Sequence, residues 1–477
     1  MSLLWRTEAL AGAMQGRPVG ALPEGVAGIS IDSRSLSPGE AFFAIAGDRF
    51  DGHDFATAAV KAGAGLLVVA EGKLPALGRI TAPMLVVPDV LAALEAVGVA
   101  ARARSKAKII AVTGSVGKTT TKEAMRVALS ACGAVHASDR SFNNHWGVPL
   151  TLARMPEDCD YAIFEIGMNH PGEIRALTRF VRPHIAVITL IAPAHLGHFR
   201  DLKEIARAKA EIFESVEKDG HALLNHDDPQ WKLLEQAAHD AGVEHVWSFG
   251  EHPRATFRLV SCEMDGEGSH VRVAMAGREV EARIGAPGRH IAQNALAVLG
   301  AAYLAGADVG KAAAALSGFS AEKGRGRQHR LSHPAGGTFV LIDESYNANP
   351  ASMKAALAVL GALPVGANGR RIAVLGDMLE LGEHSQELHA GLAGALAEAG
   401  VDRVLLGGQE MAALADALPS DMPCKHRAGA DELKPLLLDA VQPGDVVMVK
   451  SSNGAGFTRL TEALLERYPA AAPAGQV

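Results

Sequence analysis

The chain has 477 residues, a length that predicts about three domains rather than one small module. Hydrophobic residues make up 48% and charged residues 21% of the sequence, the balance of a folded globular protein, which excludes a chain disordered throughout. The net charge of −7 supplies no basic field for a nucleic acid or an anionic membrane, so neither is expected as a partner.

Cysteine usage and the N-terminal residues predict the compartment. The cysteines are too far apart for a metal pair or a disulfide framework, which indicates a reducing environment. The first apolar stretch contains Arg6 and Glu8 and does not resemble a secretory signal. No apolar run reaches the roughly 20 residues of a membrane span, so we expect a cytoplasmic enzyme. The four cysteines are Cys132, Cys159, Cys262 and Cys424.

The first hundred residues predict a small α/β domain. Short apolar runs typical of strands alternate there with helical patterns at 54–63 and 89–102. The polar, basic segment 101–108 then precedes a new apolar strand. We therefore expect a first domain over residues 1–104.

The middle of the chain predicts a doubly wound parallel sheet. The runs 109–112, 161–166 and 185–190 are apolar throughout, as strands covered on both faces are, and helical patterns separate them. Polar and apolar residues alternate within 254–284, which predicts an antiparallel extension. A second domain is expected over residues 105–319.

The last part of the chain predicts another parallel sheet. A basic, glycine-containing linker at 320–330 precedes it, and apolar strand patterns then alternate with helical ones. We therefore expect a third domain over residues 320–477 and an α/β fold throughout. The predicted strands are 339–342, 372–375, 404–406 and 446–449, and the predicted helices are 351–361, 386–399 and 456–466.

The strongest local motif is TGSVGKTT at 113–120, between a predicted strand and a predicted helix. Alone it could be a glycine turn, but in this context it predicts a phosphate-binding loop, with Lys118 on the outer phosphates and Thr119 on Mg²⁺. The general pattern has Gly where Val112 stands, so the loop is a variant. The residues expected to contact the nucleotide here are Gly114, Ser115, Val116, Gly117, Lys118, Thr119 and Thr120.

Further motifs follow this loop in a fixed order. They are SFNNHWGVPLT at 141–151, FEIGMNHPGEI at 164–174, AHL at 194–196 and AKAEIF at 208–213. Before the loop lie SIDSR at 30–34, PGEAFF at 38–43 and FDGHDF at 50–55, and after it lie LIDESYNANPASM at 341–353 and LGDMLELG at 375–382. Together they resemble the ATP-dependent Mur ligases of peptidoglycan synthesis over nearly the whole chain.

The resemblance implies a fold and an activity. It implies an N-terminal UDP-sugar-binding domain, a central P-loop ATPase domain and a C-terminal Rossmann-like domain. The YNANP stretch at 346–350 is similar to a motif of one group of these ligases. That group joins D-Ala-D-Ala to UDP-N-acetylmuramoyl-tripeptide through an acyl phosphate and forms ADP. ATP and Mg²⁺ are then the expected cofactors, and UDP-N-acetylmuramoyl-tripeptide and D-Ala-D-Ala are the expected substrates. We expect the protein to be a monomer.

The resemblance also implies roles near the phosphates. Glu165 and His195 would bind a second metal, and Lys209 would be carbamylated by CO₂. A linker arginine would approach the γ-phosphate, and of Arg325 and Arg327 we favour Arg327. The implied catalytic residues are Lys118, Glu165, His195, Lys209 and Arg327, and the implied metal ligands are Thr119, Glu165, His195 and Lys209.

Nucleotide and peptide contacts are implied in the same way. Asn294 would read the adenine edge, Asp343 would bind the ribose hydroxyls, and Asn347 would lie near the nucleotide, with Arg327 beside them. Asn349 would lie near the nucleotide or the incoming dipeptide. The implied substrate-binding residues are Ser33, Arg34, Phe142, Asn143, Asn144, Asn169, His170 and Asn349.

Two alternatives stay open at this point. Other Mur-type and folylpolyglutamate-type ligases share the loop and the Lys209 region, although the motifs at 30–34 and 346–350 argue against them. From another class, a P-loop protein could use ATP only to switch conformation. The third residue of the tripeptide, diaminopimelate or lysine, is also open.

Overall fold

The structure is a computed structural model that describes residues 3–47, 49–139, 141–193 and 196–471. The N-terminal part forms a sheet in the order β2-β7-β6-β5-β4, parallel except for β2, beside the ribbon β1-β3. Its strands are β1 (Trp5–Arg6), β2 (Arg17–Val19), β3 (Gly25–Val26), β4 (Ile29–Ser30), β5 (Ala41–Phe43), β6 (Leu66–Ala70) and β7 (Met84–Val87). Its α-helices are α1 (Thr7–Met14), α2 (Ala56–Lys61), α3 (Leu74–Leu77) and α4 (Val90–Arg104).

The central part is one sheet in the order β16-β15-β14-β13-β12-β11-β8-β10-β9. The strands from β9 to β14 are parallel, and β14, β15 and β16 pair antiparallel, so the predicted antiparallel extension continues the same sheet. The strands are β8 (Lys108–Thr113), β9 (Val135–Ala137), β10 (Tyr161–Glu165), β11 (Ile185–Ile188), β12 (His221–Asn225), β13 (His245–Gly250), β14 (Phe257–Met264), β15 (Ser269–Met275) and β16 (Arg278–Ile284). The α-helices are α5 (Lys118–Ser130), α6 (Gly147–Ala153), α7 (Glu173–Val181), α8 (Leu202–Ala210), α9 (Trp231–Asp240), α10 (Arg289–Leu304) and α11 (Val309–Ala315).

The N-terminal and central parts share one hydrophobic core. Leu10, Val97 and Phe164, from α1, α4 and β10, belong to the same cluster of buried side chains. The indole N–H of buried Trp5 donates to the carbonyl of Ala153 at the end of α6, at 2.8 Å. This contact and the shared core fix the two parts together, with α4 packed against α6 and α7 of the central part.

The C-terminal part is a separate sheet in the order β17-β18-β22-β19-β20-β21, parallel except for β17. Each face has its own core. The predicted α/β fold with parallel sheets is confirmed. The strands are β17 (Arg327–Ser332), β18 (Thr338–Glu344), β19 (Arg371–Gly376), β20 (Arg403–Gly407), β21 (Cys424–Arg427) and β22 (Val446–Lys450). The α-helices are α12 (Pro350–Ala362), α13 (Ser385–Ala390), α14 (Ala393–Glu398), α15 (Ala412–Ala417), α16 (Ala430–Ala440) and α17 (Thr458–Arg467).

Two sequence expectations for this part are wrong. Residues 327–330 are not linker but the start of the edge strand β17, whose outer side chains are exposed and therefore polar. The expected helix 386–399 is two helices, α13 and α14, interrupted at Gly391. Within the described residues, no helix is both long and apolar enough to cross a bilayer.

Candidate active site

The phosphate-loop motif joins β8 to α5 as the sequence predicts. Gly114 and Gly117 have φ of 148° and 86°, values that favour glycine. A Cβ on Gly114 would overlap Oγ1 of Thr189, and one on Gly117 would lie 2.9 Å from Oδ1 of Asn294. Ser115 N–H donates to the carbonyl of Leu190 at 2.7 Å. The loop is therefore packed closely against the end of β11 and against α10.

The loop opens into a pocket of about 410 Å³ between the central and C-terminal sheets, which we call the interdomain pocket. The carboxyl ends of β8, β10 and β12 contribute to it from one side, and those of β18 and β22 from the other. Ligands in open α/β sheets bind at such edges. The predicted site residues that line this pocket are Ser115, Val116, Gly117, Lys118, Thr119, Thr120, Asn143, Glu165, Asn169, Asn294, Asn347 and Asn349.

Lys118 and Glu165 carry opposite charges in this pocket. Lys118 Nζ donates to the carbonyl of Gly114 at 2.6 Å. Burial lowers the pKa of Lys118, an effect that nearby Glu165 opposes and Arg325 reinforces. Glu165, at the end of β10, is 1% exposed, and its Oε1 accepts a hydrogen bond from Nδ2 of Asn143 at 2.8 Å.

The other oxygen of Glu165 fits a magnesium ligand. Oε2 is buried and has no hydrogen-bond partner, although a buried polar atom normally has one. Thr119 lines the same pocket. In the described part of the chain no three His, Cys, Asp or Glu residues cluster as a metal cage. Mg²⁺ takes one or two protein oxygens, completed by phosphates and water. The expected ligand His195 lies outside the described residues.

Lys209 is a buried lysine rather than a surface one. It lies near the end of α8 and is 2% exposed. Burial, and secondly the charge of Lys118, lower its pKa well below the usual value. Its neighbour Glu211 accepts hydrogen bonds from the N–H groups of Gly172 and Arg175, at 2.8 and 3.0 Å. That carboxylate fixes the Lys209 segment to the start of α7.

Arg325 reaches the interdomain pocket, and Arg327 does not. Nη2 of Arg325 donates to Oγ of Ser141 at 3.1 Å, and its guanidinium lies 4.3 Å from the ring centre of Tyr346. Arg327 is exposed on β17, paired in register with Asp343. The preference for Arg327 is therefore corrected in favour of Arg325, because the turn before β17 points Arg325 toward the central sheet.

Asp343 does not reach the pocket either. Its side chain is fully buried, and its oxygens accept hydrogen bonds from Gly324 N–H at 2.9 Å and from the N–H and Oγ–H of Ser345 at 3.2 and 2.7 Å. The expected contact with ribose is corrected accordingly. The carboxylate that lines the pocket is that of the next residue, Glu344, which accepts a hydrogen bond from Lys450 Nζ at 2.8 Å.

The remaining asparagines and histidines have mixed placements. Asn349 caps α12, accepting from Ser352 N–H at 2.9 Å. Asn347 Oδ1 accepts from Ala348 N–H at 2.9 Å. Asn144 Oδ1 accepts a hydrogen bond from Gly147 N–H at 2.9 Å and does not line the interdomain pocket. His170 is exposed, and its Nδ1 lies 3.1 Å from Oε1 of Glu173.

A second cavity, of about 1500 Å³, lies between the N-terminal and central sheets, and we call it the large cavity. Arg34 lines it, in an ion pair with Asp32 at 2.7 Å, and Phe142 lines it from the central side. Ser33 lies between two of the lining residues but is not one of them. Asp139 and Phe142 line this large cavity, whereas Ser141 and Asn143 line the interdomain pocket, so a ligand extending from one to the other would pass these four residues.

Sequence reasoning missed several residues of the interdomain pocket, among them two charged residues and the hydrogen-bond partner of Arg325. Lys450 and Glu344 form a buried pair at the ends of two strands, and Ser141 holds Arg325. A charged residue at the carboxyl end of an otherwise apolar parallel strand, as in VVMVK at 446–450, is the signal that could have revealed Lys450.

Comparison with known proteins gives matches over most of the chain. The profile of the Mur ligase middle domain matches residues 112–302, that of the Mur ligase glutamate ligase domain 326–453, and that of the Mur ligase family catalytic domain 25–126. The Escherichia coli UDP-N-acetylmuramoyl-tripeptide--D-alanyl-D-alanine ligase is 34% identical, covering 96% of this chain and 97% of its own. The ligase of the same name from Rickettsia prowazekii is 33% identical, covering 91% and 94%.

Solved structures agree with these matches. A crystal structure of MurF from Acinetobacter baumannii superposes with a TM-score of 0.82 at 30% identity, covering 97% of this chain and 99% of its own. The fold is also that of a MurF ligase from Thermotoga maritima, at 23% identity, with a TM-score of 0.75 and coverage of 92% and 97%. The chain belongs to the Mur ligase family.

Proposed function

We propose that the chain is an ATP-dependent, ADP-forming ligase that joins D-Ala-D-Ala to UDP-N-acetylmuramoyl-tripeptide, giving the pentapeptide precursor of peptidoglycan. The observation that carries the proposal is that a phosphate loop and an unpartnered buried carboxylate line one pocket, while Asp139 and Phe142 line a second, larger cavity and Ser141 and Asn143 line the first. The reaction needs this arrangement, because a long nucleotide-sugar peptide must bring one carboxylate to ATP. Relatives with this activity in their names match nearly the full length.

The reaction has two steps. The terminal carboxylate of the tripeptide attacks the γ-phosphorus of ATP, the bond to the bridging oxygen breaks, and ADP leaves. The amine of D-Ala-D-Ala then attacks the carbonyl carbon of the acyl phosphate. The new C–N bond forms, the nitrogen loses a proton, and inorganic phosphate leaves.

The residues of the interdomain pocket stabilise the charge that moves in the first step. Backbone N–H groups of the loop and the start of α5 would bind the phosphates, and Lys118 and Arg325 would neutralise the γ-phosphate from opposite sides. Thr119 and Glu165 would hold Mg²⁺, and bound Mg²⁺ supplies further neutralisation of the phosphate oxygens. Asn143 would keep Glu165 oriented through its hydrogen bond.

We further propose that Lys209 is carbamylated. Its depressed pKa favours the neutral amine, the form whose lone pair attacks CO₂; the N–C bond forms and one proton is released. The product is an anion that would suit a position near Lys118 and a divalent cation, whereas an ammonium there would repel both. Glu211 would hold the segment in place.

The large cavity would bind the nucleotide sugar, with Arg34 and Phe142 among its walls, while Asn294 and Asn347 would bind the nucleotide of ATP. We propose domain boundaries at 1–104, 105–319 and 320–477. We also propose a monomer acting in the cytoplasm, where ATP and nucleotide sugars are available.

A phosphate-release assay tests the proposal. Release should require ATP, UDP-N-acetylmuramoyl-tripeptide and D-Ala-D-Ala together, and omission of the dipeptide should stop turnover. Lys118→Ala should lower turnover by about 10²-fold or more. A protein that only switches conformation would release phosphate without the dipeptide, and that result would refute the ligase assignment. Parallel assays with diaminopimelate and lysine tripeptides would identify the preferred third residue.

A further inference from the structure

The turn that carries Arg325, residues 322–326, is bonded to one aspartate on both sides of the arginine. We call it the arginine turn. Gly324 N–H donates to Oδ2 of Asp343 at 2.9 Å, and Gly326 N–H donates to the backbone carbonyl of Asp343 at 2.8 Å. Within the turn, Arg325 N–H donates to the carbonyl of Glu322 at 3.0 Å. The backbone on each side of Arg325 is therefore attached to a single residue of β18.

Asp343 is also fixed to its own strand. Its Oδ1 accepts hydrogen bonds from the N–H and Oγ–H of Ser345, and its side chain is 0% exposed. A buried carboxylate that loses a partner is costly, so the Gly324 bond resists breaking. Gly324 and Gly326 have φ of 76° and 99°, which restricts this turn geometry largely to glycine.

The orientation of the Arg325 side chain depends on the same contacts. Tyr346 N–H donates to the carbonyl of Gly324 at 3.1 Å, and the Tyr346 ring lies under the guanidinium. From there Nη2 reaches Ser141, across the interdomain pocket. The strand end 343–346 thus holds both the backbone and the stacking partner of Arg325.

We propose that Asp343 is a positioning residue, which holds the arginine turn so that the Arg325 guanidinium points into the interdomain pocket. The inference rests on the proposed function, in which Arg325 neutralises the γ-phosphate. Asp343 acts only through Arg325, since its carboxylate is buried and both oxygens are bonded within the protein. A displacement of about 1 Å in such a group can cost about 10²-fold in rate.

The test is a double-mutant cycle on the full chain. The side chain in Asp343→Asn has one acceptor oxygen instead of two. Either the N–H of Gly324 or the N–H and Oγ–H of Ser345 therefore lose their acceptor. We expect kcat to fall by about 10²-fold, while the KM for the nucleotide sugar stays unchanged because no residue of the arginine turn is among those that line the large cavity. Arg325→Ala should lower kcat by about 10³-fold, and adding Asp343→Asn to it should change kcat by less than about twofold.

A matched control separates positioning from stability. Asp445 is a buried aspartate at the other end of the C-terminal sheet, where it accepts from the N–H groups of Arg370 and Gln442 at 2.9 and 2.8 Å. Asp445→Asn should lower the melting temperature but leave kcat unchanged. If Asp343→Asn does not fold, Gly324→Ala perturbs the same turn, because its Cβ would lie 2.8 Å from Cβ of Tyr346, and it enters the same cycle.

The outcomes distinguish the two proposals. Loss of kcat in Asp343→Asn or Gly324→Ala that disappears in the Arg325→Ala background supports the inference. If Arg325→Ala lowers kcat but the second substitution multiplies that loss, or has no effect on its own, Asp343 does not act through Arg325 and the inference is overturned. Normal kcat in Arg325→Ala would instead remove Arg325 from the proposed mechanism, and the inference with it.

Discussion

Protonation of His184 should weaken the central sheet below neutral pH. Its Nδ1 accepts the N–H of Ile109 in β8 at 2.9 Å, so the ring must be neutral at that nitrogen in the folded protein. Burial, followed by the charges of Arg102 and Lys108, lowers the pKa of His184 to about 4. A proton added at Nδ1 of His184 would remove the acceptor for the N–H of Ile109, so that two N–H donors would point at each other.

The size of the effect follows from linkage. In the unfolded chain the His184 side chain titrates near pH 6.5. Between pH 6.5 and pH 4, His184 therefore binds more protons in the unfolded state than in the folded state. The contribution of neutral His184 to the free energy of unfolding is fully present above about pH 6.5 and is lost as the pH falls toward 4. Going from pH 7 to pH 5 would cost about 2 kcal/mol of unfolding free energy for an isolated site, and about 1 kcal/mol after allowance for solvent screening of this partly exposed ring.

Urea denaturation of the wild type and of His184→Asn at pH 7 and pH 5 would measure this. Asparagine offers an acceptor oxygen near the position of Nδ1 but does not titrate. Tryptophan fluorescence reports on the central part, which contains Trp146, Trp231 and Trp247. The wild type should lose about 1 kcal/mol more than the variant. Equal losses would show that another group controls the pH dependence and would refute the argument.

Three further predictions concern the site and its support. Glu165→Gln should raise the Mg²⁺ concentration needed for half-maximal turnover, because it removes the carboxylate with the unpartnered oxygen; an unchanged requirement would exclude it as a ligand. Lys209→Ala should abolish turnover, and added short carboxylic acids should restore part of it but not rescue Lys118→Ala; loss without rescue would leave the carbamate unsupported. Trp5→Phe should lower the unfolding free energy by about 1–3 kcal/mol, since the buried carbonyl of Ala153 loses its donor; an unchanged denaturation midpoint would contradict this.

Local patterns predicted the elements that depend on local physics. The phosphate loop needs only a strand, two glycines in unusual conformations and a helix start, all of which are consecutive in the sequence. Lys209 was assigned by resemblance, because the local sequence around it suits an exposed helix as well as a buried one. Its burial depends on how α8 packs against distant elements such as α9, and no local pattern predicts that packing.

The Arg327 and Asp343 assignments failed because strand pairing is not local. In β18, alternate residues face opposite sides: Phe339 and Leu341 join one core, Ile342 the other. Asp343 therefore points to the side of Leu341, and Glu344 to the side of Ile342, where α12 and the interdomain pocket lie. The two-residue period is visible in the sequence, but the side on which α12 packs is not, and neither is the pairing that begins β17 at Arg327.

The core shared by the N-terminal and central parts has a calorimetric consequence. Side chains from both parts pack in one cluster, whereas the C-terminal sheet has its own two. The first two parts should therefore unfold as one cooperative unit, with the C-terminal part as another. A ligand bound in the large cavity would raise the free energy of unfolding of the N-terminal and central parts together, by RT ln(1 + [L]/Kd). The large cavity and the phosphate loop thus belong to a single thermodynamic domain, although they lie on two sheets.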